Sequence, residues 1–293
     1  MLTAVSKNGA SAVRTAARRK PLSPKAVLSH LILILSSVGF VFPFYWMIVT
    51  SLKAPDEIFS WPPIFVPQTW QWGNYAEVAN AIPIVRMFFN SLFVSVTVTL
   101  GTVFFCALAA YAFGRIRFPG REAIFRMYLA TMMVPGMVTM IPMFIIMRDF
   151  GWIDTYWALI VPGFFGNAFG TFLLRQFFMT LPVQLDEAAR IDGASYFGIF
   201  FRILLPLVKP ALASLFIFTF MGVWNDFLWP LIMIQSDDLQ TLSLGLSSFQ
   251  GMYAARYNLL MAGAVLSVVP VLIAYVFGQR YFIEGITLTG LKG

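Results

Sequence analysis

Charge is what this sequence is shortest of. Only 11% of its 293 residues are Asp, Glu, Lys or Arg, against 59% hydrophobic, and the mean hydropathy is +0.78. A water-soluble domain carries about a quarter charged residues, so the main solvent of this chain is lipid. Histidine and cysteine are scarcer still, with His30 and Cys106 the sole representatives. One cysteine excludes a disulfide framework within the chain, and one of each excludes a metal site built from several Cys or His ligands. The same scarcity removes most routes to a Ser-His-Asp or Cys-His nucleophile, because His30 adjoins the first apolar run. Cys106 lies in an apolar stretch and reads as a small buried hydrophobe. No G-x-x-x-x-G-K-[ST] phosphate loop occurs. A membrane-embedded enzyme would need a convergent acid, base or metal set, and the chain is expected to be no enzyme, without a cofactor of its own.

What the sequence has in abundance is long apolar runs. A helix crossing the hydrocarbon core needs about 20 apolar residues, whereas a membrane-spanning strand alternates apolar and polar positions over short segments. The runs here are continuous, which predicts an all-α integral membrane protein. Six windows read as spans: Val27–Thr50, Met87–Phe113, Ala123–Met147, Trp157–Phe178, Leu207–Ile234 and Leu259–Phe282. A basic tail over 1–26 precedes a membrane domain over 27–293.

The net charge of +7 points to topology rather than to nucleic acid. The acid-free tail holds Lys7, Arg14, Arg18, Arg19, Lys20 and Lys25, the second connection Arg115, Arg117, Arg121 and Arg126, the fourth Arg175, Arg190, Arg202 and Lys209, and the C-terminal end Arg280 and Lys292. Only Lys53, Arg86, Arg148 and Arg256 fall elsewhere. Positive residues stay on the cytoplasmic side, so both termini are expected there, with an even number of spans between them. The first run is too long for a signal peptide and no small-residue cleavage site follows it, so it is read as an uncleaved span.

Helix breakers interrupt several spans: Pro135, Gly136 and Pro142 in the third, Pro162, Gly163, Gly166 and Gly170 in the fourth, Pro270 in the sixth. Freed backbone groups in lipid must find neighbouring helices or a water-filled cavity; close helix packing and a bundle that opens and closes both fit. The connection from Leu181 to Pro210 stands apart. Pro182 suits a first helical turn, Asp186 and Arg190 are spaced as an i,i+4 pair, Asp192-Gly193 supplies a stop, and Ser195 can cap a second helix that runs to Pro206. This predicts a helix-turn-helix at the membrane surface. Ala188 and Ala189 place two small side chains where another protein's backbone could come close, although a plain amphipathic linker has the same look.

Glu187-Ala188-Ala189, three residues, Gly193, nine residues, then Ile203-x-Leu205-Pro206 resembles the EAA loop of binding-protein-dependent ABC importer permeases. Further similarity lies in Ser51-Leu52-Lys53, Asn90-Ser91-Leu92, Ala109-Ala110-Tyr111-Ala112-Phe113, Trp224-Asn225-Asp226-Phe227-Leu228-Trp229-Pro230 and Gln279-Arg280-Tyr281-Phe282 with the closing Lys292-Gly293. Together these resemble the carbohydrate-uptake permeases similar to the smaller membrane subunit of the maltose transporter, over nearly the whole chain after about residue 25. The resemblance implies a bacterial inner-membrane complex with a second permease subunit, two ATPase subunits that bind ATP and Mg, and an extracytoplasmic substrate-binding protein. It implies a coupling helix seated on an ATPase, with Glu187 its principal polar contact, Gly193 its turn, and Ala188, Ala189, Asp192, Leu205 and Pro206 in the same motif. It also implies that the connection from Gln235 to Asn258 reaches toward the binding protein.

Polar residues within spans are costly and tend to face a cavity, which makes Asn90, Asn167, Asn225 and Asp226 candidates for a sugar path, with Trp224 and Trp229 flanking the last pair as stacking surfaces. Interface anchoring by Trp and helix–helix bonding by Asn remain open for the same residues. The competing class is a self-sufficient channel or ion-coupled transporter, which needs ionisable groups deep in its spans; Asp226 is the best placed.

Overall fold

The computed structural model describes residues 24–251 and 256–290, with side chains at 278 and 280–290 outside the description. The expected tail ahead of residue 24, Met252 to Ala255, and the closing Lys292-Gly293 likewise lie outside the described residues. All regular structure among the described residues is helical, with no strand. Two compact units divide after Trp46. The first holds most of α1 (Pro24–Ser51). The second, from Met47, holds α2 (Gly73–Ala81), α3 (Ile84–Arg115), α4 (Arg121–Ala130), α5 (Gly136–Asp149), α6 (Tyr156–Phe164), α7 (Ala168–Thr180), α8 (Gln184–Ile191), α9 (Tyr196–Gly198), α10 (Leu205–Leu207), α11 (Lys209–Trp224), α12 (Leu228–Met233), α13 (Leu242–Leu246) and α14 (Tyr257–Gly290). A π-helical stretch over Ile199–Leu204 joins α9 to α10.

Four stretches are long and apolar enough to cross a membrane: Pro24–Ser51, Ile84–Arg115, Tyr156–Thr180 and Tyr257–Phe277. Two further pairs qualify only as bent units, Arg121–Met133 with Gly136–Asp149 at 97° and Tyr196–Leu207 with Lys209–Trp224 at 79°, which brings the total to six if each pair is one span. The third window is thus broken where its helix breakers lie, and the fifth, in which none was named from the sequence, is broken as well. In the third, Pro135 forces Val134 into an extended conformation (φ −83°, ψ 117°) and ends the first half. The fifth window is interrupted over Asn225–Phe227, after α11 and before α12.

The centre of the second unit is α3, packed against α6, α7 and α11, while α14 packs on α11 and α2. Its inward stripe is small and polar: Ser91, Ser95, Thr99, Thr102, Cys106 and Ala110 are all buried, whereas Phe89, Phe93, Leu100 and Phe104 are exposed. That pattern is inverted relative to a soluble helix and suits lipid outside with close helix contact inside. At Gly101 a Cβ would sit 2.3 Å from Phe164 Cδ2, so only glycine lets α6 approach this closely. The break between α6 and α7 turns on Gly166, whose φ of +90° belongs to glycine. At the break the Gly163 carbonyl accepts from Thr102 Oγ1 at 2.7 Å besides the Gly166 N–H at 3.3 Å, and that of Asn167 from Cys106 Sγ at 3.4 Å besides the Thr171 N–H at 3.1 Å. Side chains of α3 thus add a bond to each carbonyl flanking the break, tying α6 and α7 to it.

Candidate functional site

The connection from Leu181 to Pro210 folds as a helix, a turn and a second helical stretch. After α8 the chain reverses at Gly193, which adopts φ +79° and donates its N–H to the Arg190 carbonyl at 3.0 Å. Ser195 Oγ accepts from the Gly198 N–H at 3.2 Å, the expected cap on α9. The second stretch is not a plain α-helix. Pro206 has no N–H to give the Arg202 carbonyl and its ring crowds that turn, and the widened bonding over Ile199–Leu204 precedes it.

The expected Asp186–Arg190 pair does not form. Asp186 is instead held by Arg115 at the end of α3, in an ion pair whose side chains are 7% and 5% exposed. Arg115 also donates to the carbonyls of Leu181 and Pro182, each at 2.8 Å, and of Phe178 at 3.3 Å. Its planar fork reaches all of these at once, whereas Arg190 lies over the Tyr196 ring, 4.9 Å from its centroid. Local helix spacing thus loses to a residue 71 positions away. Beside this hub, Tyr111 donates its hydroxyl to the Tyr196 carbonyl at 3.2 Å, and Arg175 joins Glu122 at 2.7 Å and the Phe113 carbonyl at 3.0 Å.

The result is a short helix with two faces. Asp186 and Ala189 are buried, Ala189 in a cluster with Tyr111, Phe178 and Leu204, against which Leu205 packs. Glu187, Ala188, Asp192, Gly193 and Pro206 are exposed. Glu187 and Arg190 line a polar cavity of about 360 Å³ with Arg115, Arg117 and Arg121. The hub residue Arg115 escaped sequence reasoning, which counted it only toward topology; its one signal was a cation in the last turn of a helix, where the dipole favours it.

The five candidates for a sugar path part company. Asn90 is buried, donates to the carbonyls of Asp238 and Gln240, both at 2.9 Å, and accepts from Tyr156 Oη at 2.8 Å. Asn167 caps α7, accepting from the Gly170 N–H at 2.7 Å. Trp224 is 1% exposed, donates Nε1 to the Ser267 carbonyl at 3.1 Å and packs with Phe88 and Phe220. Asn225 is exposed and bonds back to the Met221 carbonyl at 2.8 Å. Asp226 lines two cavities, one of about 330 Å³ and one of about 20 Å³.

The connection from Gln235 to Asn258 is drawn inward along much of its length. Asp154 Oδ1 accepts from the N–H groups of Ser236 (2.9 Å) and Gln235 (3.0 Å) and from Ser236 Oγ (2.9 Å). Those bonds, the Ser236 N–H foremost, hold the Asp154 carboxyl below its ordinary range. Arg86 pairs with Asp238, Ser91 Oγ accepts from the Leu242 N–H at 2.7 Å, and Leu242, Leu246 and Phe249 are buried with Met87 and Leu259.

Residues 102–287 match the family described as binding-protein-dependent transport system inner membrane component. The arabinooligosaccharides transport system permease protein AraQ of Bacillus subtilis is 37% identical over 266 residues, covering 90% of this chain and 94% of the relative. The sn-glycerol-3-phosphate transport system permease protein UgpE of Pectobacterium atrosepticum is 36% identical, with 89% and 95% covered. The diacetylchitobiose uptake system permease protein NgcG of Streptomyces coelicolor is 36% identical, with 87% and 85% covered. The fold is shared with a bacterial ABC transporter involved in import of the acidic polysaccharide alginate, at a TM-score of 0.76 and 24% identity, covering 88% of this chain and 96% of that one.

Proposed function

Because the chain belongs to the family of binding-protein-dependent transport system inner membrane components, we propose that it is the permease subunit of an ATP-driven sugar importer of the bacterial inner membrane. Family membership makes it a transport component and not an enzyme. The finer reading is six spans with both termini cytoplasmic, a second permease subunit alongside, two ATPase subunits carrying ATP and Mg, and an extracytoplasmic binding protein delivering cargo.

The observation that carries this reading is α8. A helix of eight residues is too short to be stable alone, and here the buried Arg115–Asp186 pair fixes one face while Glu187, Ala188 and Gly193 stay open on the other. A rigidly mounted helix with an acidic residue and an exposed turn is a docking element. In this reading it seats on an ATPase, and closure of the ATPases around ATP shifts the bundle between two packed states. Sugar as cargo is supported by the relatives named for arabinooligosaccharides and diacetylchitobiose.

Purification of the tagged chain from its membrane in mild detergent should recover a P-loop ATPase and a second, different permease. In the reconstituted complex, Gly193→Asp should leave ATP hydrolysis running while uptake falls away. Recovery of the chain alone as a homo-oligomer that transports without ATP would instead establish a self-sufficient transporter.

A further inference from the structure

Ser95 Oγ and Thr241 Oγ1 are buried without a hydrogen-bond partner, their residues 1% and 5% exposed. Both line the cavity of about 20 Å³, and Asp226 lines it with them. A buried hydroxyl without a partner is costly, and a cavity of at least 10–15 Å³ with two to four polar partners holds one oxygen. Ser91 lines the same cavity, its Oγ already accepting from the Leu242 N–H at 2.7 Å, so four oxygen-bearing side chains, two of them without a partner, surround a space sized for a single water or a single hydroxyl group.

That small pocket adjoins the cavity of about 330 Å³, with which it shares Leu159, Val223, Asp226 and Trp229. The larger space is roughly ten times a water's share of liquid volume and falls within the range of small-ligand sites. Trp229 is pinned there by its Nε1, which donates to the Ala158 carbonyl at 2.9 Å. Asp226 accepts from the backbone N–H groups of Trp229, at 3.2 Å, and Leu228, and a carboxylate has about four acceptor sites. No Lys, Arg or His lines either cavity. A phosphate or uronate would meet an acid and no cation, whether Asp226 is ionised or not.

The geometry points to a carbohydrate subsite that selects neutral cargo: a sugar ring occupies the larger cavity against Trp229, and one of its hydroxyls enters the small pocket between Ser95, Thr241 and Asp226, displacing a water. The assignment rests on the importer reading and narrows it, since relatives of this chain are named for a phosphate ester as well as for neutral saccharides.

The test uses the intact complex in proteoliposomes with its own binding protein, offered arabinotriose, diacetylchitobiose and sn-glycerol-3-phosphate. A neutral saccharide is expected to be carried and the phosphate ester refused. Ser95→Ala and Thr241→Val should each cut saccharide delivered per ATP hydrolysed about fivefold, the worth of one neutral hydrogen bond, because cargo held less tightly escapes before the pore turns. ATP hydrolysis itself should continue, and Thr241→Ser should restore delivery. Carriage of the phosphate ester, refusal of both saccharides, or wild-type delivery by both hydroxyl-deleted variants would overturn the assignment, the last meaning that the pocket holds a structural water only. Failure of the importer reading is distinct, since it appears earlier as a preparation lacking an ATPase.

Discussion

Replacing Arg115 with Met should release α8 while leaving the rest of the fold in place. The Arg115 and Asp186 side chains are 5% and 7% exposed, so solvent does little to screen their interaction. Removing one partner of such a pair strands the other, at a cost of about 3–5 kcal/mol. Arg115 also serves three carbonyls, but Pro182 is exposed, and water can take over there. The lower figure alone corresponds to roughly a hundredfold shift in a local opening equilibrium. Hydrogen exchange at the α8 amides should therefore accelerate on the order of a hundredfold in Arg115→Met, while amides in the middle of α3 keep their protection. The double variant Arg115→Met, Asp186→Leu should regain much of that protection, because an apolar replacement of a buried pair is close to neutral. Uptake should follow protection, falling in the single variant and partly returning in the double. Unchanged exchange in the single variant, or a double variant worse than the sum of its parts, would refute the claim that this pair mounts the helix.

Three further outcomes follow from other sites. Gly166→Ala should lower stability by about 1–3 kcal/mol, read as a drop in melting temperature, because φ is +90° there and the added Cβ would lie 3.0 Å from Cys106 Sγ. Gly193→Ala meets no atom within 4 Å, so it should cost only the left-handed backbone penalty of about 1–2 kcal/mol and transport better than Gly193→Asp. Asp154 has its carboxyl held low by the Ser236 and Gln235 N–H groups; a folded value below the unfolded one stabilises above the unfolded value and fades as pH falls through the folded one. Exchange protection at Gln235 and Ser236 should thus hold at neutral pH and decline on acidification below the ordinary carboxylate range, and Asp154→Asn should flatten that dependence.

The parts of the fold legible in the sequence were those fixed by local physics. The uninterrupted run expected at Met87–Phe113 is α3, Ile84–Arg115, because nothing in it contradicts a helix. The turn at Gly193 and the cap at Ser195 follow from backbone chemistry within a few residues. Pro135 and Gly166 announced breaks, but how far the chain turns at each depends on what it packs against. Long-range pairing was invisible. Nothing near Asp186 announces Arg115, and nothing near Asn90 announces the carbonyls of Asp238 and Gln240. Trp224-Asn225-Asp226 could not be told apart in sequence, since adjacent residues at a helix end point in different directions: Trp224 is buried in the core and Asp226 lines a cavity. Ser95 and Thr241 carried no signal, because a hydroxyl in a small-residue stripe becomes notable only once its partner is seen to be missing.

Two helices run from the α8 segment, proposed to dock on an ATPase, to the proposed sugar site, and their continuity bears on how the one could move the other. α3 holds Asp186 through Arg115 at one end and presents Ser95 to the small pocket about 30 Å away, at 1.5 Å per residue. α11 begins past the bend that follows α10 and ends at Trp224, two residues before Asp226, over about 24 Å. Neither carries an interior proline or a break. The breaks lie elsewhere, at the 79° bend before Lys209, the 97° bend before Gly136, the Gly166 turn and Asn225–Phe227. In the importer reading a force on α8 would pass along these unbroken helices and be taken up where the chain breaks, and the break at Asn225–Phe227, after α11, carries the acid that the sugar would meet. On the proposed reading such a pore would need no motion within α3 to change its grip on cargo: a tilt of α11 about its bend would displace Asp226 relative to Ser95 and pull apart the oxygens that line the small pocket.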